Sequence, residues 1–174
     1  MTTLALIIAA SHTKPPAQRY DDVKDITYYS TGSVRIDSMH RYEVYAAFRG
    51  KVPAVPTEAR FVLVTWHGND SGEAAQDADG SQWDGAKEVA FRVVDKVTTF
   101  SIGADGYHRG PSTDEAIKAL LGRVVYERVE VTVPWSFVLS MSTSDALYEC
   151  GLSKGAIKGK GHEPIAKLVA AFAD

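Results

Sequence analysis

Two predicted strands each carry an aromatic residue and an arginine at alternate positions. Tyr45 and Arg49 share one such set, and Tyr126 and Arg128 share another, together with Thr132. Alternate residues of a strand point to the same face of a sheet. An aromatic ring beside a guanidinium suits stacking on an unpaired base and contact with its phosphate. The spacing is compatible with a surface for single-stranded nucleic acid, but by itself an ordinary solvated sheet face explains it better.

A second group of residues has the side chains of a metal site. His67 and Asp70 lie three positions apart and Glu73 follows them. Imidazole and carboxylate groups are common metal ligands, so a small metal-dependent hydrolase that uses His67 and Asp70 remains an alternative. The acidic residues that follow do not have the spacing of a calcium loop. A solvated acidic loop explains them better.

The C-terminal third contains two weaker patterns. The segment from Gly151 to Gly155 matches the spacing of a serine nucleophile elbow, but a predicted helix precedes it where that motif needs a strand. Chance explains the match better. Lys154 and its neighbouring lysines lie among glycines, which indicates a flexible turn between helices or a turn that contacts phosphate. The single cysteine, Cys150, excludes an internal disulfide and is expected to be a small apolar residue in a helix.

Composition limits the class of protein. The chain has 174 residues, of which 45% are hydrophobic and 24% charged, as in an ordinary single globular domain. The net charge of -3 gives no global positive field that would attract nucleic acid. No apolar run reaches the roughly 18 residues that a membrane span needs. We therefore expect one domain over 1–174 and no membrane span. Our leading interpretation, given below, includes no metal, cofactor or catalytic residue.

Apolar alternation predicts most of the chain to be strand. The polar segments 68–85 and 103–110 are expected to be loops. Strands 42–49 and 60–66 are expected to pair as a hairpin. The predicted strands cover 4–10, 25–30, 42–49, 60–66, 89–102 and 124–133.

Helix signals occur at three places. Ser112 and Glu115 form a capping box that predicts a helix over 112–121. Cap residues at 142–145 predict a second helix that contains Ala146, Leu147 and Cys150. Apolar residues at helical spacing predict a third helix over 164–173. The resulting fold class is α+β: an antiparallel sheet with N-terminal strands and a hairpin, followed by two C-terminal helices.

The order of these features resembles that of the coat proteins of single-stranded RNA bacteriophages, the levivirus-like family. A strand ends at Pro134, Ser144 and Asp145 follow, and a Lys- and Gly-containing turn leads to Pro164 and Ile165. The earlier segment resembles the same proteins in its hairpin over 42–66 and in the aromatic residues and serine at 28–30. The stretch 68–122 is longer than the corresponding loop of the family and is expected to be an insertion.

The resemblance implies both an architecture and a role. Members of the family form homodimers in which the two C-terminal helices of each subunit cover the partner's sheet. The dimers assemble into an icosahedral shell, and the sheet face inside the shell binds a genomic RNA hairpin, which also represses translation. The implied location is the virion, with synthesis in the cytoplasm of a bacterial host.

By strand position, the resemblance places Tyr45, Arg49, Tyr126 and Arg128 on the RNA-binding face. Arg60 joins them in one of its two strand registers, since a shift by one residue exchanges the two faces. No enzymatic activity is implied. A generic α+β binding module that forms no shell is the remaining alternative.

Overall fold

The computed structural model describes residues 16–51, 54–68, 83, 85–111 and 124–172. These residues contain ten strands, two α-helices and a short 3-10 helix at Gly159–Gly161. The strands are β1 Ala17–Asp21, β2 Ile26–Ser30, β3 Val34–Arg35, β4 His40–Arg49, β5 Glu58–Gly68, β6 Glu88–Val93, β7 Lys96–Pro111, β8 Val124–Pro134, β9 Ala146–Cys150 and β10 Ser153–Ile157. The helices are α1 Trp135–Thr143 and α2 Glu163–Ala170.

The ten described strands form one antiparallel sheet. Nine of them are in the order β1-β2-β4-β5-β8-β7-β6-β9-β10, and β3 pairs with β4. β4, β5 and β8 form the centre, where β5 and β8 pair along their whole length. Strict alternation along β4 and β8 gives each strand one buried and one partly exposed face. The expected antiparallel α+β architecture is therefore confirmed.

Both helices pack on the buried face of the chain's own sheet. Ile165 and Leu168 of α2 are fully buried. The ring of Phe172, just after α2, lies 5.2 Å from the Tyr29 ring and 5.7 Å from the Phe48 ring. The hydroxyl of the buried Tyr42 in β4 donates a hydrogen bond to a backbone carbonyl in the 3-10 helix that precedes α2. The single chain thus covers one face of its sheet with its own helices.

Strand β8 has one buried acidic residue, Glu127, on its apolar face. Glu127 alternates with the valines of β8 and is 0% exposed. It accepts a hydrogen bond of 2.7 Å from the Tyr107 hydroxyl, and Arg109 lies directly opposite it in β7. Buried carboxylates are tolerated in protein cores when they have such partners. Period two alone assigns Glu127 to this face.

The prediction of a helix that contains Ala146, Leu147 and Cys150 is wrong. Residues 146–150 form β9, in which Ala146, Tyr148 and Cys150 are buried while Leu147 and Glu149 are exposed. This is the period of a strand, and five residues are too few to distinguish it from a helical stripe. The helix lies immediately upstream as α1, which begins after Pro134. Serine and threonine at 142–144 therefore end a helix instead of starting one.

The glycine-rich segment after Cys150 is also not an interhelix turn. Gly151 and Leu152 connect β9 to β10 in a tight hairpin, with Gly151 at a φ of +53°. Such turns require a positive φ, which glycine adopts without strain. Ser153 is buried in β10, so the match to a nucleophile elbow is coincidental.

Within the stretch 68–122, the described residues 88–111 form two strands of the sheet, β6 and β7. The predicted strand 89–102 is a hairpin of β6 and β7 that turns at Val94. The predicted loop 103–110 belongs to β7, whose register against β8 shifts between Ile102 and Tyr107. The predicted strand 4–10 and helix 112–121 lie outside the described residues.

The terminal helix is confirmed, with α2 spanning Glu163–Ala170 and Pro164 in its first turn. Proline is favoured there because its missing N–H has no partner in the helix. No helix in the described parts of the chain is long and apolar enough to cross a membrane.

Candidate nucleic-acid interface

The sheet face opposite the helices, called here the helix-free face, collects most of the candidate residues. Tyr45 in β4, Arg60 in β5 and Thr132 in β8 lie directly opposite one another in the register. Directly opposite residues of paired strands share a face. Arg60 therefore lies on the same face as Tyr45, which decides between the two registers that the sequence allows.

Glu130 is the centre of this group. Arg128 forms an ion pair with its carboxylate. Arg60 Nη1 lies 3.6 Å from Glu130 Oε1, and the Tyr45 hydroxyl lies 3.3 Å from Oε2. Arg128 also donates a hydrogen bond of 2.6 Å to the Tyr45 hydroxyl. One carboxylate thus connects three candidate residues from three adjacent strands, and this group is called the Glu130 cluster.

The pKa values in the Glu130 cluster follow from partial burial and charge. Burial raises the pKa of Tyr45, and the nearby Arg128 only partly offsets this rise. Burial by itself would lower the pKa of Arg128, but Tyr45 and Glu130 outweigh it and raise the pKa. Arg128 therefore keeps its positive charge and Tyr45 its proton at neutral pH. Both side chains are hydrogen-bond donors there.

An aromatic group extends the helix-free face next to the Glu130 cluster. The rings of Trp66 and Tyr126 lie 5.9 Å apart, in neighbouring strands. The guanidinium of Arg41 lies 5.1 Å above the Trp66 ring, within the range of a cation–π contact. Burial raises the pKa of Tyr126. Tyr126 is therefore placed with two residues that the sequence pattern does not single out.

Arg49 is on the same face but is not part of the cluster. It ends β4 and is exposed, opposite Ile26. Four residues separate it from Tyr45, or about 13 Å along an extended strand. The structure therefore brings together Tyr45, Arg60 and Arg128, places Tyr126 beside them and leaves Arg49 at one end.

Three residues of the helix-free face were missed by sequence reasoning as parts of a site. Arg41 shares the alternation of Tyr45 and lies one residue before the predicted strand 42–49. Trp66 ends the predicted strand 60–66, and tryptophan is most often a core or interface residue. Glu130 alternates with Arg128 and Thr132, so period two assigns it to the same face. Its pairing with Arg60 is a contact between strands that only the register reveals.

The residues of the alternative metal site fall at the limit of the described chain. His67 is in β5, where only its backbone is described, and Asp70 lies outside the described residues. Among the residues that the structure does describe, no group of three or more His, Cys, Asp or Glu side chains is placed to hold a metal ion.

Comparison with known proteins adds no family assignment. No family model, curated protein or solved structure matches the chain. The function is therefore inferred from the chemistry of the helix-free face.

Proposed function

We propose that this chain is a coat protein, without enzymatic activity, that assembles through dimers into an icosahedral shell and binds single-stranded RNA. The observation that carries the proposal is the meeting of Tyr45, Arg60 and Arg128 on the helix-free face. The levivirus-like resemblance implies the same division, with helices on one side of the sheet and RNA on the other. In such a shell the helix-free face points inward, and the protein is located in the virion.

The chemistry of the face supports RNA as the ligand. Arginine guanidinium groups contact phosphates, and aromatic rings such as Trp66 and Tyr126 stack on unpaired bases. Specific contacts of this kind are few and local, so a chain with a net charge of -3 can make them. The proposed RNA is a hairpin, whose loop presents unstacked bases. Binding near a start site would repress translation.

The proposed dimer could form in two ways, by exchange of helices or by pairing of edge strands. The resemblance implies that α1 and α2 cover the partner's sheet, whereas in the single chain they cover its own. Exchange of identical elements between subunits preserves the same contacts. Alternatively, the terminal strands β1 and β10 offer backbone groups for edge-to-edge pairing.

The particle mass of the purified chain tests the assembly. Light scattering and electron microscopy are expected to show dimers that convert to uniform shells when RNA is added. A chain that stays monomeric under all assembly conditions, with or without RNA, would contradict the coat-protein proposal.

Replacement of Arg128 tests the RNA-binding face. Arg128→Ala is expected to weaken RNA binding by about 1–3 kcal/mol, because it removes a charged contact. Arg92→Ala is the matched control, since Arg92 is an exposed arginine of the same sheet in β6, away from the Glu130 cluster. The measurement is fluorescence anisotropy with a labelled RNA hairpin. Equal losses in the two variants would remove the Glu130 cluster from the binding site.

A further inference from the structure

A groove opens on the helix-free face between β1, β2 and β4, next to the Glu130 cluster. Its volume is about 330 Å³, within the range of small-molecule sites. Tyr28, Ser30, Glu43 and Tyr45 line it, and the exposed Arg19 lies at its β1 side. Tyr45 also belongs to the Glu130 cluster, so the groove and the cluster are continuous. This pocket is called the Glu43 groove.

The carboxylate of Glu43 is held in place by a short relay. The backbone N–H of Gly32 donates a hydrogen bond of 2.8 Å to Ser30 Oγ. The Ser30 hydroxyl in turn donates a hydrogen bond to Glu43 Oε1. Because Gly32 follows β2 with a φ of +67°, the chain turns there and its N–H points back to the serine. The relay orients an acceptor group in a groove that is otherwise lined largely by aromatic and small residues.

A carboxylate at this position selects the kind of ligand. An ionised carboxylate only accepts hydrogen bonds and repels phosphate. On a face that binds RNA it must therefore meet a hydrogen-bond donor, which is either a base N–H group or a ribose 2′-hydroxyl, and only a base can offer two donors side by side. Guanine carries two neighbouring N–H donors, N1–H and the 2-amino group, on its Watson–Crick edge, and the two oxygens of a carboxylate match them. Adenine, cytosine and uracil lack this adjacent pair of donors.

We propose that the Glu43 groove binds an unpaired guanine base of the RNA. Glu43 accepts the two guanine N–H groups, Ser30 positions Glu43, and the rings of Tyr28 and Tyr45 contact the base. Arg19 lies where it can contact the adjoining phosphate. This proposal rests on the proposed RNA binding and adds base selectivity to it.

The test compares short RNAs that differ in one base. The probes are fluorescent decamers of uridine with guanosine, inosine, adenosine or cytidine at one central position, and an all-uridine decamer. The guanosine decamer is expected to bind about tenfold more tightly than the all-uridine decamer, in line with one good bidentate contact. Inosine lacks the 2-amino group and is expected to lose most of this preference.

Two charge-matched variants separate selectivity from general electrostatics. Glu43→Gln and Glu58→Gln each remove one negative charge, and Glu58 is an exposed residue of β5 that does not line the groove. Both variants are expected to bind the decamers without guanosine somewhat more tightly. Only Glu43→Gln is expected to abolish the preference for guanosine, and Ser30→Ala is expected to reduce it. Thermal unfolding verifies that each variant is folded.

The outcomes distinguish the two proposals. If all decamers bind equally to the unmodified chain, the guanine proposal is overturned and RNA binding stands. The guanine proposal also fails if Glu43→Gln and Glu58→Gln keep the same preference for guanosine. If no decamer binds even at low salt but the labelled RNA hairpin does, the guanine proposal is overturned. If neither binds, the proposed RNA binding fails, and guanine selectivity fails with it.

Discussion

At the scale of single residues, one carboxylate controls the charge of the proposed RNA surface. Glu130 is paired with Arg128 and lies 3.6 Å from Arg60, so it offsets part of the positive charge that the two arginines bring to the Glu130 cluster. RNA phosphates must compete with this carboxylate for both arginines. The ion pair also holds the Arg128 guanidinium in place, which would lower the entropic cost of the proposed RNA binding.

Glu130→Gln is expected to increase RNA affinity. The substitution removes the competing charge and leaves both arginines free for phosphate, so the salt dependence should correspond to about one more phosphate contact. Glu88→Gln is the control, because it changes net charge equally at an exposed site on β6. The measurement is RNA affinity across a series of salt concentrations. Equal gains in the two variants would show that only net charge matters.

Cys150 is expected to be unreactive in the folded chain. It is 1% exposed, and burial, with a smaller effect of the Glu127 charge, raises its pKa from 9.0 to about 12. The folded state therefore holds the neutral thiol, and the thiolate is the reactive form. Thiol labelling at pH 8 should be roughly a hundredfold faster in denaturant than in its absence. Fast labelling of the folded chain would contradict the buried position.

The raised pKa of Cys150 also predicts a loss of stability at alkaline pH. A folded-state pKa above the unfolded value stabilises the fold fully below about pH 9, and this contribution is lost as pH rises towards 12. Burial raises the pKa values of Tyr42 and Tyr148 in the same direction. The unfolding free energy, measured by urea titration, should therefore fall above pH 9. A constant value up to pH 11 would contradict this.

At the scale of elements, the β9–β10 hairpin depends on one close approach between an aromatic ring and a glycine. Gly155 lies opposite Tyr148 in the register, and a methyl group built on Gly155 would overlap the Tyr148 ring. The ring of Tyr148 is buried, so it has little room to move aside. The sequence motif that resembles a nucleophile elbow therefore has a packing explanation for its second glycine.

Gly155→Ala is expected to destabilise the chain by about 1–3 kcal/mol, the usual range for overpacking. Gly103→Ala is the control, since a methyl group there meets nothing within 4 Å. The measurement is the free energy of unfolding in urea. In a Tyr148→Ala background the penalty at Gly155 should largely disappear, because the two residues are in contact. An unchanged penalty would assign it to the backbone instead of to the ring.

At the scale of the whole molecule, the described chain covers its core with its own helices. α2 and the segment after it fill the space over β2 and β4, where the rings of Trp135 and Phe172 lie 5.3 Å apart. These side chains are buried by contacts within the single chain. In the described part of the chain, the core over β2 and β4 is therefore covered without a second subunit.

Phe172→Ala is expected to cost about 3–5 kcal/mol, because it leaves a cavity among aromatic rings. Leu152→Ala, at an 84% exposed site in the β9–β10 turn, is the control and should be close to neutral. Thermal unfolding is measured over a roughly hundredfold range of protein concentration. If the helices cover the chain's own sheet, the loss is independent of concentration. A loss that depends on concentration would show that Phe172 packs on a partner.

The amino-acid sequence by itself determined the central strands, their two faces and the terminal helix. In β4 and β8 the alternation runs over many residues, and the spacing of Ile165, Leu168 and Phe172 admits one interpretation. These signals are local and strong. They were sufficient to place Tyr45 on the polar face of β4, and Tyr126 with Arg128 on the polar face of β8.

Only the tertiary structure decided the rest. A five-residue apolar segment such as 146–150 satisfies both helical and strand periods, and its pairing with β6 made it a strand. The face of Arg60 and the pairing of Glu130 depended on register, and a shift of one residue exchanges all faces. Whether helices cover their own sheet is likewise set by contacts between distant segments. Local residue patterns do not encode such contacts, because they arise only when strands far apart in the chain meet.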